Sequence, residues 1–163
     1  MKKVALFVDV QNIYYTTKEA FGRSFDYNAF WAAATTGREV IKAFAYAINK
    51  GDPKQRQFQN VLCAIGFEVK LKPYIQRADG SAKGDWDVGI TLDAFETAAQ
   101  VDAIVLASGD GDFDLLVQRV IERFGIVVEV YGVARLTAGS LKAATTRFIP
   151  ITDELLLPSK GAR

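Results

Sequence analysis

Two short runs of apolar residues mark the sharpest changes of polarity along the chain. Residues 4–8 and residues 103–107 are uninterrupted apolar runs, a pattern typical of strands that are covered on both faces, as in a parallel sheet. Asp9 follows the first run directly, and Asp110 follows the second after Ser108 and Gly109. Because ligands bind beyond the carboxyl ends of strands in open α/β sheets, these two strand ends are the first candidates for a functional site.

Helical and strand patterns alternate along the rest of the chain. Apolar residues at helical spacing predict helices over residues 13–21, 27–34 (with Asp26 as N-cap), 54–65, 86–99, 113–124 and 137–144. Apolar or alternating runs predict strands over residues 39–47, 67–72, 126–130 and 148–151, the last at a sheet edge because it contains Pro150. Residues 74–84 show neither period and predict an exposed loop. In the helix that starts near Asp85 and Asp87, the apolar stripe consists of Val88, Leu92, Phe95 and Ala99.

This alternation predicts a doubly wound α/β fold, a three-layer α/β/α sandwich around a mainly parallel sheet of about five strands. If the first strand and the strand at 103–107 are neighbours where the strand order reverses, Asp9, Asp110 and Asp112 share one crevice. Asp87, at a helix start on the same rim, can join them. A helix N-cap is the competing explanation for Asp112, since Asp is a good cap, whereas Asp110 is less easily explained in that way.

The composition is that of one globular domain. The 163 residues are 50% hydrophobic and 24% charged, which is typical of a folded domain. The net charge of +1 gives no strong overall attraction to nucleic acid, so any basic surface must be local. We expect a single domain over residues 1–157 and a flexible tail over residues 158–163. No apolar run approaches the ~20 residues that span a bilayer, so we expect a cytoplasmic protein without membrane contact.

The residue types limit the chemistry. The chain contains no histidine, which excludes Ser-His and Cys-His nucleophiles and His-bearing zinc sites. Its only cysteine, Cys63, stands in an apolar stretch, and we expect a buried structural thiol. Crowded carboxylates cannot all stay ionised without a counter-charge, which a hard cation bound by oxygen, Mg²⁺ or Mn²⁺, supplies. Such ions activate water and stabilise in-line displacement at phosphorus.

Three motifs, in their order along the chain, resemble those of the NYN domain, in the LabA-like branch of the PIN-like nucleases. They are Phe7-Val-Asp-Val-Gln-Asn12, Lys83-Gly-Asp-Trp-Asp-Val88 with Leu92-Asp93, and Ser108-Gly-Asp-Gly-Asp-Phe113. The likeness covers residues 3–152, and three motifs in order are more specific than any one alone. The resemblance implies an α/β/α sandwich of PIN-like, Rossmann-like topology, a divalent metal site and cleavage of RNA.

The resemblance also implies roles for single residues. Asp9 is the first family acid and Asn12 its amide companion. Asp87 opens the middle helix, and Asp110 and Asp112 are the acids of the Ser-Gly-Asp loop. These five are the candidate catalytic residues, and the four aspartates are the candidate ligands of Mg²⁺ or Mn²⁺, directly or through water.

The candidate substrate contacts are Asn12, Lys83 and Ser108. Asn12 is expected to orient a ligand or phosphate, and Lys83 to contact a backbone phosphate, with an ordinary solvated loop lysine as the alternative. Two positions depart from the family pattern. Val10 stands where a small residue, often Gly, is usual, which implies a differently shaped loop. Thr146 stands where a carboxylate often precedes Arg-Phe, so we expect an outer acidic group to be missing.

Aromatic residues are concentrated after the first strand. They are Tyr14, Tyr15, Phe21, Phe25 and Tyr27. We expect them to close the edge of the core, and stacking on nucleic-acid bases is the functional alternative.

The leading hypothesis is a metal-dependent ribonuclease with RNA as its partner. The alternative from another class is a non-cleaving RNA-binding or regulatory module that keeps the acidic pocket. A receiver-like phosphotransfer domain is disfavoured because the strand at 126–130 is followed by Tyr131-Gly132 and not by a lysine. A haloacid dehalogenase phosphatase needs Asp-x-Asp after the first strand, and a dinucleotide enzyme needs a glycine fingerprint that the chain lacks. The oligomeric state is open, with a homodimer as one option.

Overall fold

The computed structural model describes residues 1–73, 75–76, 82–83 and 85–159. Its centre is a six-stranded, all-parallel sheet. The strands are β1 (Lys2–Asp9), β2 (Arg38–Asn49), β3 (Glu68–Pro73), β6 (Ala103–Ala107), β7 (Val127–Gly132) and β8 (Arg147–Pro150). They lie side by side in the order β3-β2-β1-β6-β7-β8. The predicted parallel sheet of about five strands is confirmed, with β3 and the Pro150-containing β8 at its edges.

The predicted loop at 74–84 contains a second, small sheet. Strands β4 (Ile75–Gln76) and β5 (Ala82–Lys83) pair antiparallel, so the loop prediction was wrong for these residues. The remainder of that segment lies outside the described residues, as do residues 160–163 of the predicted tail.

Helices fill the connections between the strands. They are α1 (Val10–Phe21), α2 (Tyr27–Thr35), α3 (Pro53–Ile65), α4 (Asp87–Ala98), α5 (Asp114–Phe124) and α6 (Gly139–Ala144). The predicted cap of α2 is confirmed, because Asp26 accepts a hydrogen bond from Ala29 N at 3.0 Å. Asp52 caps α3 in the same way through Lys54 N at 2.8 Å. None of the described helices is long and apolar enough to cross a membrane.

The sheet separates two apolar cores. Side chains alternate across a strand, and Leu6 and Val8 of β1 accordingly pack against α1, α2 and α3, while Phe7 packs against α4, α5 and α6. All three of these side chains are fully buried. The result is the predicted three-layer α/β/α sandwich, in which the polar carboxyl ends of the strands are left between the two helical layers.

Several predicted burial assignments are wrong because packing against the sheet, and not the sequence of a helix alone, decides which face of the helix is buried. On α4 the stripe chosen from the sequence is the outer one, with Val88 70% exposed and Leu92 58% exposed, and Ile90 and Ala94 face the sheet instead. On α3, Leu62 points into the core, so the next residue, Cys63, is exposed and not the buried thiol we expected.

The aromatic group after β1 also divides between core and surface. Phe25 and Tyr27 close the core edge as expected. Tyr14, Tyr15 and Phe21 are between 41% and 53% exposed, so the core-edge prediction fails for these three.

A largely buried ion pair ties β2 to β7 across the two strands between them. The guanidinium of Arg38 donates to both carboxylate oxygens of Glu129, at 2.9 and 2.8 Å. The Glu129 side chain is 7% exposed and that of Arg38 is 25% exposed. The Glu129 carboxylate raises the pKa of Arg38 further above its usual range. The buried Glu129 carboxylate is tolerated here because the bidentate pairing with Arg38 gives both of its oxygens a hydrogen bond.

Candidate functional site

The ends of β1 and β6 lie side by side at the point where the strand order reverses. Val8 pairs with Ala107 in the sheet register, so Asp9 and the loop that starts at Ser108 leave the sheet together. This confirms the predicted neighbouring strand ends. Carboxylate oxygens of Asp9, Asp87 and Asp110 all lie within 4.8 Å of one another, and these three residues are called the acid cluster below.

Asp9 is the buried member of the acid cluster. It ends β1, caps α1 through Asn12 N at 3.4 Å, and is only 8% exposed. Its other carboxylate oxygen accepts a hydrogen bond from the Ser108 hydroxyl at 3.2 Å. Burial raises the pKa of Asp9 to about 6, although these hydrogen bonds oppose the shift, and the charge of Asp110 adds to it. A carboxylate in this position is therefore costly to ionise without a counter-charge.

Asp87 reaches the cluster from the opposite helical layer, at the start of α4. Burial and the charge of Asp110 raise the pKa of Asp87 to about 7. Trp86 holds this helix start against the sheet, because its indole N–H donates to Ala47 O at 2.9 Å at the end of β2. Gly89 is required beside it, since a Cβ there would lie 2.6 Å from the Trp86 ring. These contacts explain why a polar helix start sits close to the ends of β1 and β6.

Asp110 is fixed by a network inside the Ser-Gly-Asp loop. Its carboxylate accepts a hydrogen bond from Asp112 N at 2.9 Å and so caps the 3-10 turn Gly111–Phe113. Its own N–H donates to the Ser108 hydroxyl at 3.2 Å. Asn12 supports the loop from α1, because its side-chain oxygen accepts from Gly109 N at 2.9 Å. The loop is therefore held from both strand ends.

The glycines of this loop are explained by close packing against the segment before α6. A Cβ at Gly109 would lie 2.9 Å from Leu136 O, and a Cβ at Gly111 would lie 2.8 Å from the Cβ of Ala138. Separations below about 3 Å cannot be met without moving backbone or a rigid side chain. The motif spacing Ser-Gly-Asp-Gly-Asp thus reflects the space available as well as the chemistry.

The two loop aspartates have the reverse of the capping roles expected from the sequence. Asp110, not Asp112, is the cap, and α5 begins without a side-chain cap. Asp112 is exposed and is not among the three converging carboxylates. The cap prediction for Asp112 was wrong because the first turn after the strand is a 3-10 turn, which places the capping position two residues earlier.

The structure places the three predicted substrate contacts in different environments. Ser108 is fully buried, and its hydroxyl bridges Asp9 and the N–H of Asp110, so it positions the acids and does not face a ligand. Asn12 is half-buried and supports the loop through its oxygen. Lys83 ends β5, and its side chain lies outside the described residues.

Asp93, in the second motif, lies apart from the acid cluster. It accepts hydrogen bonds from Lys70 Nζ and the Tyr46 hydroxyl, each at 2.7 Å. Its charge is therefore already compensated by a lysine, and Tyr46 is held with a raised pKa by burial and by this carboxylate.

The two departures from the family pattern leave the acid cluster intact. Val10 begins α1 without distorting the Asp9 cap. The Thr146 hydroxyl accepts from Val128 N at 3.1 Å, near the amino end of β7. A carboxylate at that position would lie at the amino ends of the strands, whereas the acid cluster lies at their carboxyl ends. The expectation that this site lacks an outer acid was therefore wrong.

Two contributors were missed by the sequence reasoning. Asp85 is exposed, accepts from Asp87 N at 3.2 Å, and its charge helps to raise the pKa of both Asp9 and Asp87. Its place two residues before Asp87 in the same motif was a usable signal. Tyr27 is buried near Asp9, and burial together with that carboxylate raises its pKa. No local pattern in the sequence indicates this contact.

The chemistry of the acid cluster suits a hard divalent cation. Its donors are all carboxylate oxygens, which Mg²⁺ and Mn²⁺ prefer. In the described part of the chain, no lysine or arginine forms an ion pair with any of the three acids. Burial first, and the charges of neighbouring carboxylates after it, raise the pKa of Asp9 and Asp87. A bound cation would favour the ionised form of both acids and so oppose these shifts.

Comparisons with known proteins agree with this picture. The family described as the NYN domain matches residues 3–154. The Low amplitude and bright protein LabA of Synechococcus elongatus is 30% identical over 161 residues, which cover 93% of this chain and 84% of that protein. A crystal structure of the Vibrio parahaemolyticus protein VPA0982, of unknown function, has 59% identity and a TM-score of 0.92 over 96% of both chains. Acinetobacter baumannii MurG, at 16% identity and TM-score 0.51 over 98% of this chain and 44% of its own, shares the fold alone.

Proposed function

We propose that this chain, which belongs to the NYN domain family of the PIN-like nuclease superfamily, is a divalent-metal-dependent ribonuclease. The observation that carries the proposal is the acid cluster, in which three carboxylates from β1, α4 and the loop after β6 converge within 4.8 Å. Family membership supports phosphodiester hydrolysis as the reaction and RNA as the substrate. The names of the similar proteins supply no activity, so the proposal depends on the site.

Asp9, Asp87 and Asp110 are the residues that would hold Mg²⁺ or Mn²⁺. A bound ion of this kind supplies activation of water and neutralisation of negative charge at phosphorus. Asp9 is buried at the end of β1, and Asp87 opens α4. Hydrogen bonds within its loop fix Asp110, so the cluster is preorganised before any ligand arrives.

The remaining residues of the site have supporting roles. Ser108 orients Asp9 and Asp110 at once through its hydroxyl, and Asn12 holds the loop against α1. In this proposal Asp112, which is exposed, acts through water and not as a direct ligand.

The test is cleavage of a labelled single-stranded RNA by purified protein with Mn²⁺, with Mg²⁺ and with EDTA. We expect cleavage only with a divalent ion. Asp110→Asn should abolish it, because Asn can still cap the 3-10 turn but cannot supply the charge. Asp114→Asn is the matched control, since Asp114 opens α5 close by and is not part of the acid cluster.

The outcomes separate the competing functions. Equal cleavage by wild type and Asp110→Asn, in preparations freed of contaminating ribonuclease, would show that the acid cluster is not the catalytic site. Binding of RNA without turnover under any ion condition would favour the non-cleaving RNA-binding or regulatory module.

A further inference from the structure

A cavity of about 560 Å³ lies at the carboxyl edge of the sheet, on the face covered by α1, α2 and α3. This volume is within the ~300–1,000 Å³ typical of small-molecule sites. Its walls come from the first half of α1, the start of α2, the end of β2 and α3. Val10 lines the cavity and directly follows Asp9, so one residue of the cavity wall is the chain neighbour of the buried acid at the end of β1.

Tyr27 places a polar group in the apolar wall of this cavity. The residue is only 8% exposed, and its ring packs against Phe25 and Phe58 with centroids 5.0 and 5.4 Å away. Its hydroxyl forms no hydrogen bond to any residue that the structure describes. Since no fully buried side-chain oxygen in that part of the chain lacks a partner, this hydroxyl keeps a small accessible surface, and Tyr27 lines the cavity. It is a fixed hydrogen-bonding group available to a ligand.

The mouth of the cavity carries two exposed aromatic rings and two amides. Tyr14 and Tyr15 are each 53% exposed, and their rings meet edge to face with centroids 5.4 Å apart. The side chains of Gln11 and Asn28 also line the cavity, and neither is hydrogen-bonded to another described residue. Exposed tyrosines and unpaired amides beside an apolar cavity suit a planar ring with a polar edge.

The charges around the cavity indicate which part of a nucleotide can enter. Among the described residues, the charged side chains of the lining are Asp26, Asp52 and Lys50, two carboxylates against one lysine. A phosphate is therefore disfavoured inside the cavity, whereas a neutral base is not. In the proposed ribonuclease the phosphate of the same strand would lie at the acid cluster, where a bound cation would offset its charge.

We propose that this cavity binds one nucleobase of a single-stranded RNA whose neighbouring phosphate lies at the acid cluster, with Tyr14 or Tyr15 stacking at the mouth and the Tyr27 hydroxyl reading the base edge. The inference rests on the proposed ribonuclease function for its ligand but not on catalysis. Stacking on tyrosine is tolerant of sequence, and a hydroxyl at the base edge adds preference for one base. The cavity is thus the specificity determinant of the site.

The test measures binding of labelled single-stranded RNA by fluorescence anisotropy in Ca²⁺, a hard cation that carboxylates bind and that can offset the phosphate charge at the acid cluster. A gel run after each titration checks that the RNA stays uncut. The double variant Tyr14→Ala, Tyr15→Ala should weaken binding by about 5- to 150-fold, the loss expected for one aromatic stacking partner. Tyr27→Phe keeps the ring and should reduce the differences in affinity among the four homopolymers. Phe21→Ala is the matched control, an exposed aromatic of α1 that does not line the cavity, and it should bind within about twofold of wild type. An abasic oligonucleotide of equal length should bind to the wild type as weakly as normal RNA binds to the double variant.

The result that overturns the inference is affinity of the double variant equal to that of Phe21→Ala, or abasic and normal RNA bound equally well. Absence of any RNA binding by wild type overturns the inference and the RNA substrate together. If the wild type cleaves RNA with a metal ion but the cavity variants bind RNA as tightly as it does, the ribonuclease proposal holds and the base-binding cavity is refuted. If RNA affinity depends on the cavity residues but no cleavage occurs, the base-binding cavity holds and the ribonuclease proposal is refuted.

Discussion

Replacing Asp9 by Asn tests whether the acid cluster stores unrelieved charge. Burial raises the pKa of Asp9 from 3.8 to about 6 in the folded protein. The folded state therefore holds this proton more tightly than the unfolded state, so the free energy of unfolding falls as the pH rises from about 4 to about 7. Two pKa units at ~1.4 kcal/mol each amount to a penalty of about 3 kcal/mol above that window.

Asn at position 9 removes the charge and keeps most of the local contacts. Its side-chain oxygen can still accept from Asn12 N and cap α1, but the hydrogen bond from Ser108 is lost or reversed, which costs about 1 kcal/mol. In metal-free protein we therefore expect Asp9→Asn to stabilise by about 2 kcal/mol near pH 8. Near pH 4, where Asp9 is protonated in the folded state, the substitution should destabilise by about 1 kcal/mol.

The assay is urea denaturation of wild type and variant in EDTA at the two pH values. Asp26→Asn is the control, since it keeps a capping side chain on α2 outside the acid cluster. A free-energy difference between wild type and Asp9→Asn that is the same at both pH values would refute the reasoning, as would destabilisation near pH 8. Either result would mean that Asp9 is not ionised at a cost in the folded protein.

Three further predictions follow from the same contacts. Millimolar Mn²⁺ should raise the melting temperature more near pH 8 than near pH 5. Burial raises the pKa of both Asp9 and Asp87, so protons compete with the ion at low pH. Differential scanning fluorimetry measures the rise, and a rise that is the same at both pH values would contradict the prediction. Asp112→Ala should change the free energy of unfolding by less than about 0.5 kcal/mol in urea denaturation, since its side chain caps no helix. A loss of stability near 1 kcal/mol would instead show that Asp112 is a helix cap. Arg38→Ala should cost about 3 kcal/mol by leaving Glu129 buried and unpaired; an unchanged denaturation midpoint would show the pair to be dispensable.

The family and the order of elements followed from local patterns. Uninterrupted apolar runs require burial on both faces, so β1 and β6 could be assigned to the middle of a parallel sheet without knowledge of their neighbours. Helical periodicity located the helices to within a few residues. Once β1 and β6 were placed side by side, the meeting of Asp9 and Asp110 followed from strand direction alone.

Only the tertiary structure decided which side chains face which neighbours. The α4 sequence has more than one apolar stripe, and periodicity cannot choose between Val88 and Ile90 until the sheet and Trp86 are in place. Asp110 and Asp112 belong to one short motif, and only the 3-10 turn decides that Asp110 joins the acid cluster while Asp112 is exposed at the surface. The cavity is lined by Tyr14 of α1 and Tyr27 of α2, which line the same space only because both helices cover the same face of the sheet. Such arrangements depend on long-range packing, which no local period along the chain encodes.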